Sequence, residues 1–305
     1  MFPQTLRNRL RDTLPAPLRT IGRRVENYIR RCTAIGHTAH GIRGYSLADK
    51  VQTAKSLLAA PVLMLNGLDQ WREPYLLGDA TVMSQCVGLF RVRRRSDDLA
   101  HILYVNNRSL FEVMRSVVKQ GDVVIDAGAN IGAMTVFLAQ LVGADGQVVA
   151  IEMMPDTADS LRHNVDLNGL TCVSVVQRAL SDSSGELVSA RVADGYFGQA
   201  SISISVPSDA LMAKKAIQVV TTTLDTVTCD FGEVALIKMD LEGVELQALK
   251  GAEQLLLRTR HILFERWQDN VDPVGEFLNA RGFRLKNIDG RNCLAIRDRL
   301  GSPAS

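Results

Sequence analysis

Residues 123–142, VVIDAGANIGAMTVFLAQLV, pass from an apolar β-branched run through a glycine-bearing turn into a longer apolar run. The pattern predicts a strand, a tight turn and a helix over 131–142. Gly128 and Gly132 let the backbone turn sharply and let a ligand come close. A dinucleotide site would use the spacing GxGxxG. Here GANIGA, residues 128–133, keeps only the first glycine in register, and Asn130 adds bulk where a pyrophosphate would lie. Asp126, just before the turn, adds a negative charge that phosphates would oppose. The turn therefore suits a nucleoside ligand with a positively charged end and no phosphate.

Outward from this stretch the chain alternates. Strands are expected at QVVAIEM, CVSVVQRAL, EVALIKMD and HILFERW, with helices over 155–167, 244–259 and 271–280. Between them lie shorter β-like pieces at 186–192, 201–206 and 217–224, with the loop DGYFGQAS as a candidate lid. FRLKNI and CLAIR, separated by DGRN, read as a closing hairpin, because Asp-Gly favours a tight turn. Such alternation predicts an α/β fold: a mostly parallel sheet covered by helices on both faces, made mixed by its last hairpin. RSLFEVMRSVVKQGD, ahead of the first strand, is an amphipathic helix. Residues 1–85 are expected to be a basic helical extension and 86–305 the catalytic domain. In the extension, four prolines at 15, 17, 61 and 74 predict short helices.

In such sheets ligands bind beyond the carboxyl ends of the strands. S-adenosyl-L-methionine matches the requirement of the turn. Its carboxylate would meet the helix start, and its ammonium would meet Asp126. Glu152, ending the second strand, would hold the ribose hydroxyls. Ser181 and Asp182, after the third strand, would approach the adenine edge. The expected cofactor set is Asp126, Gly128, Asn130, Gly132, Glu152, Ser181 and Asp182.

Residues from about 89 to 267 resemble the FkbM family of S-adenosylmethionine-dependent methyltransferases. The resemblance runs through GDVVIDAGANIGAMT, AIEMMPDTADSLRHNVDLNG, RALSDSSGE, TTLDTV and LIKMDLEGVELQALKGAEQLL. It implies the seven-stranded, Rossmann-like methyltransferase sheet and O-methylation of hydroxyl-bearing metabolites or glycans. Met153 departs from the family, which often has proline after the acid.

Methyl transfer from a sulfonium is an in-line displacement, so positioning dominates, and an alcohol acceptor also needs a base for its proton. KMDLEG places Lys238, Asp240 and Glu242 two apart, on one face while the strand stays extended. Asp240 is the expected base or acceptor of the substrate hydroxyl, Glu242 the next candidate, and Lys238 the residue that tunes or orients them. A structural ion pair between Lys238 and an acid is the plainer alternative. Glu265 is a candidate for the acceptor cleft, while His101 and His261, each beside apolar residues, read as packed or exposed. Paired carboxylates can hold magnesium, but without an evident third ligand no metal is expected.

Composition sets further bounds. The net charge of +2 makes no global case for nucleic acid, yet residues 1–32 carry eight arginines against Asp12 and Glu26. That arm could anchor on a phosphate backbone or an anionic surface, or be a solvated helix face. The five cysteines are far apart and form no CxxC pair, which suits a reducing compartment. No apolar leader precedes the body, and LLAAPVLML at 57–65 is too short to span a bilayer. A cytoplasmic protein with peripheral membrane contact through the basic arm is expected, acting on a small-molecule, glycan or glycolipid acceptor. An RNA or DNA methyltransferase is the competing enzyme reading, disfavoured because no NPPY-type stretch is present and the arm has few aromatics. A catalytically silent S-adenosylmethionine-binding module is the third.

Overall fold

The computed structural model describes residues 16–65, 74–193, 196–202, 214–266 and 272–297, and in 16–24, 64–65, 191–202 and 214–215 only the backbone. The described residues open with α1 (Ala16–Gly41), β1 (Ile42–Gly44) and α2 (Leu47–Leu65). Two long helices thus replace the short ones expected. Pro17 falls in the first turn of α1, where a missing N–H costs nothing, and Pro61 lies in the last turns of α2. β2 (Ala80–Ser84) and β3 (Gly88–Val92) form a hairpin that β1 joins through β2. This small antiparallel sheet carries the chain across residue 85.

α3 (Asp98–Ile102) and α4 (Arg108–Val117) precede the main domain. Arg93 fixes the start of α3, its Nε and Nη2 donating to Asp98 at 2.9 and 2.6 Å. Then follow β4 (Val123–Ala127), α5 (Ala133–Val142), β5 (Gln147–Ile151), α6 (Pro155–Leu167) and β6 (Val173–Val176). β7 (Ala179–Leu180), β8 (Leu187–Ala193), β9 (Tyr196–Ile202) and β10 (Lys214–Thr222) come next, with α7 (Leu224–Val227). The chain continues with β11 (Val234–Met239), α8 (Glu245–Lys250), α9 (Glu253–Leu257), β12 (Thr259–Glu265), α10 (Pro273–Asn279), β13 (Arg284–Asn287) and β14 (Asn292–Ile296).

The main sheet has seven strands in the order β13-β14-β12-β11-β4-β5-β6. Its central strands run parallel, and only β14 is antiparallel to its neighbours. This is the mostly parallel α/β sheet with a terminal hairpin that the alternation predicts. Successive residues feed opposite faces: Val124, Val148, Leu236 and Leu263 join Phe111, Met114 and Phe137 in one core, while Ile125, Val149, Ile237 and Phe264 join Leu249, Leu255 and Leu278 in the other. Helices cover both layers.

The structure corrects three local expectations. CVSVVQRAL is not one strand: it breaks at Gln177–Arg178, and β7 leaves for a second sheet, ordered β7-β10-β8-β9. Most of the supposed lid is β9, paired antiparallel with β8, while residues 194–195 lie outside the described residues. The β-like piece at 201–206 is described only through Ile202. The helix expected over 244–259 is interrupted at Gly251, where an added Cβ would stand 2.3 Å from the Ser181 carbonyl. That approach tucks the chain against the third strand's exit and admits only glycine. Asn164 and Asn168 of α6 clamp β3 to the domain by accepting from the Arg91 and Leu89 N–H groups at 2.8 and 2.9 Å.

Candidate active site

Strand order reverses between β4 and β11: from β4 the chain builds toward β5 and β6, and from β11 toward β12. A crevice opens at the carboxyl ends of these two strands, the position where open α/β sheets bind ligands. It is lined by Gly128, Asn130, Glu152, Lys238, Asp240 and Glu242, all expected from the sequence. Also lining it are His101, Asn107, Met153, Arg178 and Leu180.

The turn is built by close approach. Gly128 has φ +77°, and a Cβ there would lie 1.9 Å from the Asp240 carbonyl oxygen. The two strand exits therefore touch through a missing side chain. Gly132, at φ +96°, faces Leu161 and does not line the crevice. Asn130 holds φ +50°, a left-handed conformation that asparagine tolerates better than most residues. Its N–H donates to Glu152 Oε2 at 3.0 Å, and the Met154 N–H donates to Glu152 Oε1 at 2.9 Å. Glu152 thus ties the turn to β5, and each oxygen keeps a further lone pair. Burial pushes its carboxyl up against those two N–H donors and the Lys238 charge. Asn130 Oδ1 is buried and has no hydrogen-bond partner within the protein.

Asp126, expected from the sequence to meet a ligand ammonium, is not among the residues that line the crevice. It is fully buried, accepting from Thr135 Oγ1 at 2.6 Å, and Lys238 Nζ lies 3.1 Å from its other oxygen. The best-aligned bond of that ammonium goes to the Gly128 carbonyl at 2.9 Å, so its contact with Asp126 is an ion pair in poor hydrogen-bond alignment. Burial alone would lower the Lys238 pKa, but Asp126 and Asp240 raise it above the ordinary value. Ser181 and Asp182, expected at the adenine edge, turn toward α8. Both accept from Gln247 Nε2, at 3.2 and 3.3 Å, and neither lines the crevice. Arg178, Leu180 and Met153 occupy that end.

The reacting end gathers acids. Asp240 is 4.0 Å from Lys238 and half-exposed. Glu242 has left the strand, at φ +55° ahead of Gly243 at +101°. The loop that carries it is held by Glu245, whose Oε1 accepts from the Leu241 N–H at 2.9 Å. Burial, then the charges of Asp240, Glu265 and Glu245, push the Glu242 carboxyl up to about 7. His101 stands across from these acids with Nε2 3.5 Å from Asp97. Burial opposes its charge, but Asp97 and then Asp240 lift its pKa above the usual value. His261 is elsewhere, its Nδ1 3.0 Å from the Ala235 carbonyl.

A second cleft adjoins the first and shares Asn107, Leu110, Lys238 and Asp240 with it. Its remaining wall includes Asn106, Glu265, Asp289, Arg291 and Asn292. Among the described residues no group of three or more His, Cys, Asp or Glu side chains has the arrangement of a metal site.

A parallel sheet with a glycine turn at its switch point and a buried acid ending the next strand is a nucleoside-binding α/β fold. The FkbM methyltransferase domain matches residues 126–285, more than half of the 305 residues, and the chain belongs to this family. It is a methyltransferase, and its methyl donor is S-adenosyl-L-methionine. Comparison with curated proteins gives no match. Solved structures with a similar fold include a SAM-dependent methyltransferase from Aquifex aeolicus, at 19% identity, 62% of this chain, 90% of that chain and TM-score 0.37. Others are precorrin-6y C5,15-methyltransferase from Geobacter metallireducens (12%, 62%, 88%, 0.41) and an rRNA methylase from Streptococcus thermophilus (14%, 64%, 96%, 0.39).

Proposed function

We propose that this methyltransferase acts on a hydroxyl of a small metabolite, glycan or glycolipid, with residues 86–305 as the catalytic domain and 1–85 as its extension. The observation that carries the reading is the place of Asp240, which lines both clefts. In the first cleft Glu152 offers lone pairs to the ribose, and the unpartnered Asn130 Oδ1 offers an acceptor to the methionine ammonium. Arg178, Leu180 and Met153 flank the adenine. The second cleft, rich in amide, carboxylate and guanidinium groups, receives a polar, hydroxyl-bearing acceptor.

S-adenosylmethionine supplies an electrophilic methyl group when bound. The protein's part is to align the acceptor oxygen and take its proton. Glu242, with its carboxyl near neutrality, accepts the hydrogen bond of the reacting hydroxyl and takes up its proton as the oxygen–methyl bond forms and the methyl–sulfur bond breaks, while Asp240 orients the acceptor where the two clefts meet. Lys238 keeps Asp126 neutralised below and holds the Gly128 turn against β11. Labelled S-adenosylmethionine offered with polyols and glycosides, with amines and with RNA tests the class. Transfer to hydroxyl acceptors is expected, and transfer only to amines or RNA would overturn the reading. With the acceptor in hand, Glu242→Gln should slow single-turnover transfer by about 10²–10⁴ at nearly unchanged donor affinity.

A further inference from the structure

Helix α2 is built inside out. Its buried side chains are Thr53 and Ser56, while Leu47, Val51, Leu58 and Val62 are 77, 46, 78 and 57% exposed. At about 100° per residue these four fall within roughly 60° of the helix circumference, and Thr53 and Ser56 lie on the opposite side. A helix that only covers a core turns its apolar stripe inward. Here Ser56 Oγ donates inward to the Gln52 carbonyl at 2.8 Å and accepts the Leu77 N–H at 3.0 Å, and the stripe is left outside. Lys50 and Lys55 are exposed on its two flanks. The helix's one acid, Asp49, is on the inner side, accepting from the Thr81 N–H at 2.9 Å. Val25 and Ile29 on α1, which packs against α2, add two more exposed apolar side chains one turn apart.

We propose that the outward face of α2 seats this protein in the interface of an anionic lipid bilayer, with the stripe at acyl depth and the lysines at the headgroups. Exposed aliphatic side chains in line, flanked by lysines and with no exposed acid, suit a helix lying in that plane with the lysine heads at the headgroups. No helix among the described residues is long and apolar enough to cross a membrane. Charge separates this occupant from others. Two copies meeting through α2 would bring Lys50 and Lys55 of both together without an acid to pair them. Residues 1–32 carry eight arginines against two acids. A nucleic acid would pair with the basic groups but leave four aliphatic side chains in water. Anionic headgroups above acyl chains satisfy both.

The test is co-sedimentation of the full chain with vesicles of phosphatidylcholine alone and of equimolar phosphatidylcholine and phosphatidylglycerol. Binding is expected only to the anionic vesicles, and Val51→Glu with Leu58→Glu should lower the partition at least about tenfold, since two aliphatic side chains no longer enter the acyl layer. Unchanged binding of S-adenosylhomocysteine shows that the double variant is folded. Leu58→Trp is the second reading: its added emission should shift blue on anionic vesicles. Double-variant binding equal to that of the unmodified chain, no binding by the unmodified chain, or an unshifted Trp spectrum overturns the proposal. So does a dimer in vesicle-free solution that the double variant dissociates while neither protein sediments, because the face is then an interface between copies.

Discussion

Lys238 Nζ stands 3.1 Å from Asp126 and 2.9 Å from the Gly128 carbonyl, with both side chains buried. The pair joins the two central strands where the sheet changes direction, and it places the Asp240 backbone against Gly128 with no room for a side chain between them. The acid before the glycine turn therefore serves the turn from beneath, and Asn130 and Glu152 are the polar side chains of the turn and of β5's end that line the crevice.

Removing one member of that pair leaves an uncompensated buried charge. Lys238→Met should destabilise the fold by about 3–5 kcal/mol, and adding Asp126→Leu should restore much of the loss. Urea denaturation of the single and double variants reads this out. A Lys238→Met protein as stable as the unmodified chain would mean that Asp126 is not held as a charged partner.

Glu152 serves two ends at once, closing the turn through two N–H groups and facing the crevice. Glu152→Ala is expected to weaken S-adenosylhomocysteine binding by about 1.5–3 kcal/mol through lost charge-assisted hydrogen bonds. Calorimetry gives the affinity, and an unchanged dissociation constant would place the ribose elsewhere.

Glu242 gives a pH forecast with a definite sign. As a base it works when ionised, so kcat/KM should rise through about pH 7 and level above it. Stability runs the other way. Between the ordinary carboxyl range and pH 7 the folded protein holds a proton that the unfolded chain has released, so stability falls as pH rises through that window. Glu242→Gln should abolish the limb near 7 in the rate and flatten the stability curve across the same window. A limb that persists in this variant would belong to another group, with His101 facing the same cleft as the next to substitute.

Much of this was legible in the chain. Short apolar β-branched runs and helical patterns placed β4, α5, β5 and α6, and Asp-Gly placed the hairpin, because each is a local signal. Gly128, Asn130, Glu152, Lys238, Asp240 and Glu242 all meet in the crevice, since residues at the carboxyl ends of adjacent parallel strands must converge. What failed was non-local. Nothing in VVIDAG says that a lysine from β11 will neutralise Asp126 from below. The bend that sends β7 to another sheet took Ser181 and Asp182 away and brought Arg178 in, although Arg178 lies within RALSDSSGE. His101 carried no signal beyond Asp97 one helical turn before it, and Glu245 none beyond its place after the EG turn. The exposed stripe of α2 was hidden because apolar spacing alone does not say which side faces inward.

A crystal structure of the full chain with S-adenosylhomocysteine tests the central claim most directly. The account predicts ribose hydroxyls on Glu152, the methionine ammonium within hydrogen-bond reach of Asn130 Oδ1, and the sulfur directed past Asp240 into the cleft lined by Glu265 and Arg291. A sulfur turned away from Asp240, or an adenosine seated outside the Gly128–Glu152 crevice, would contradict it.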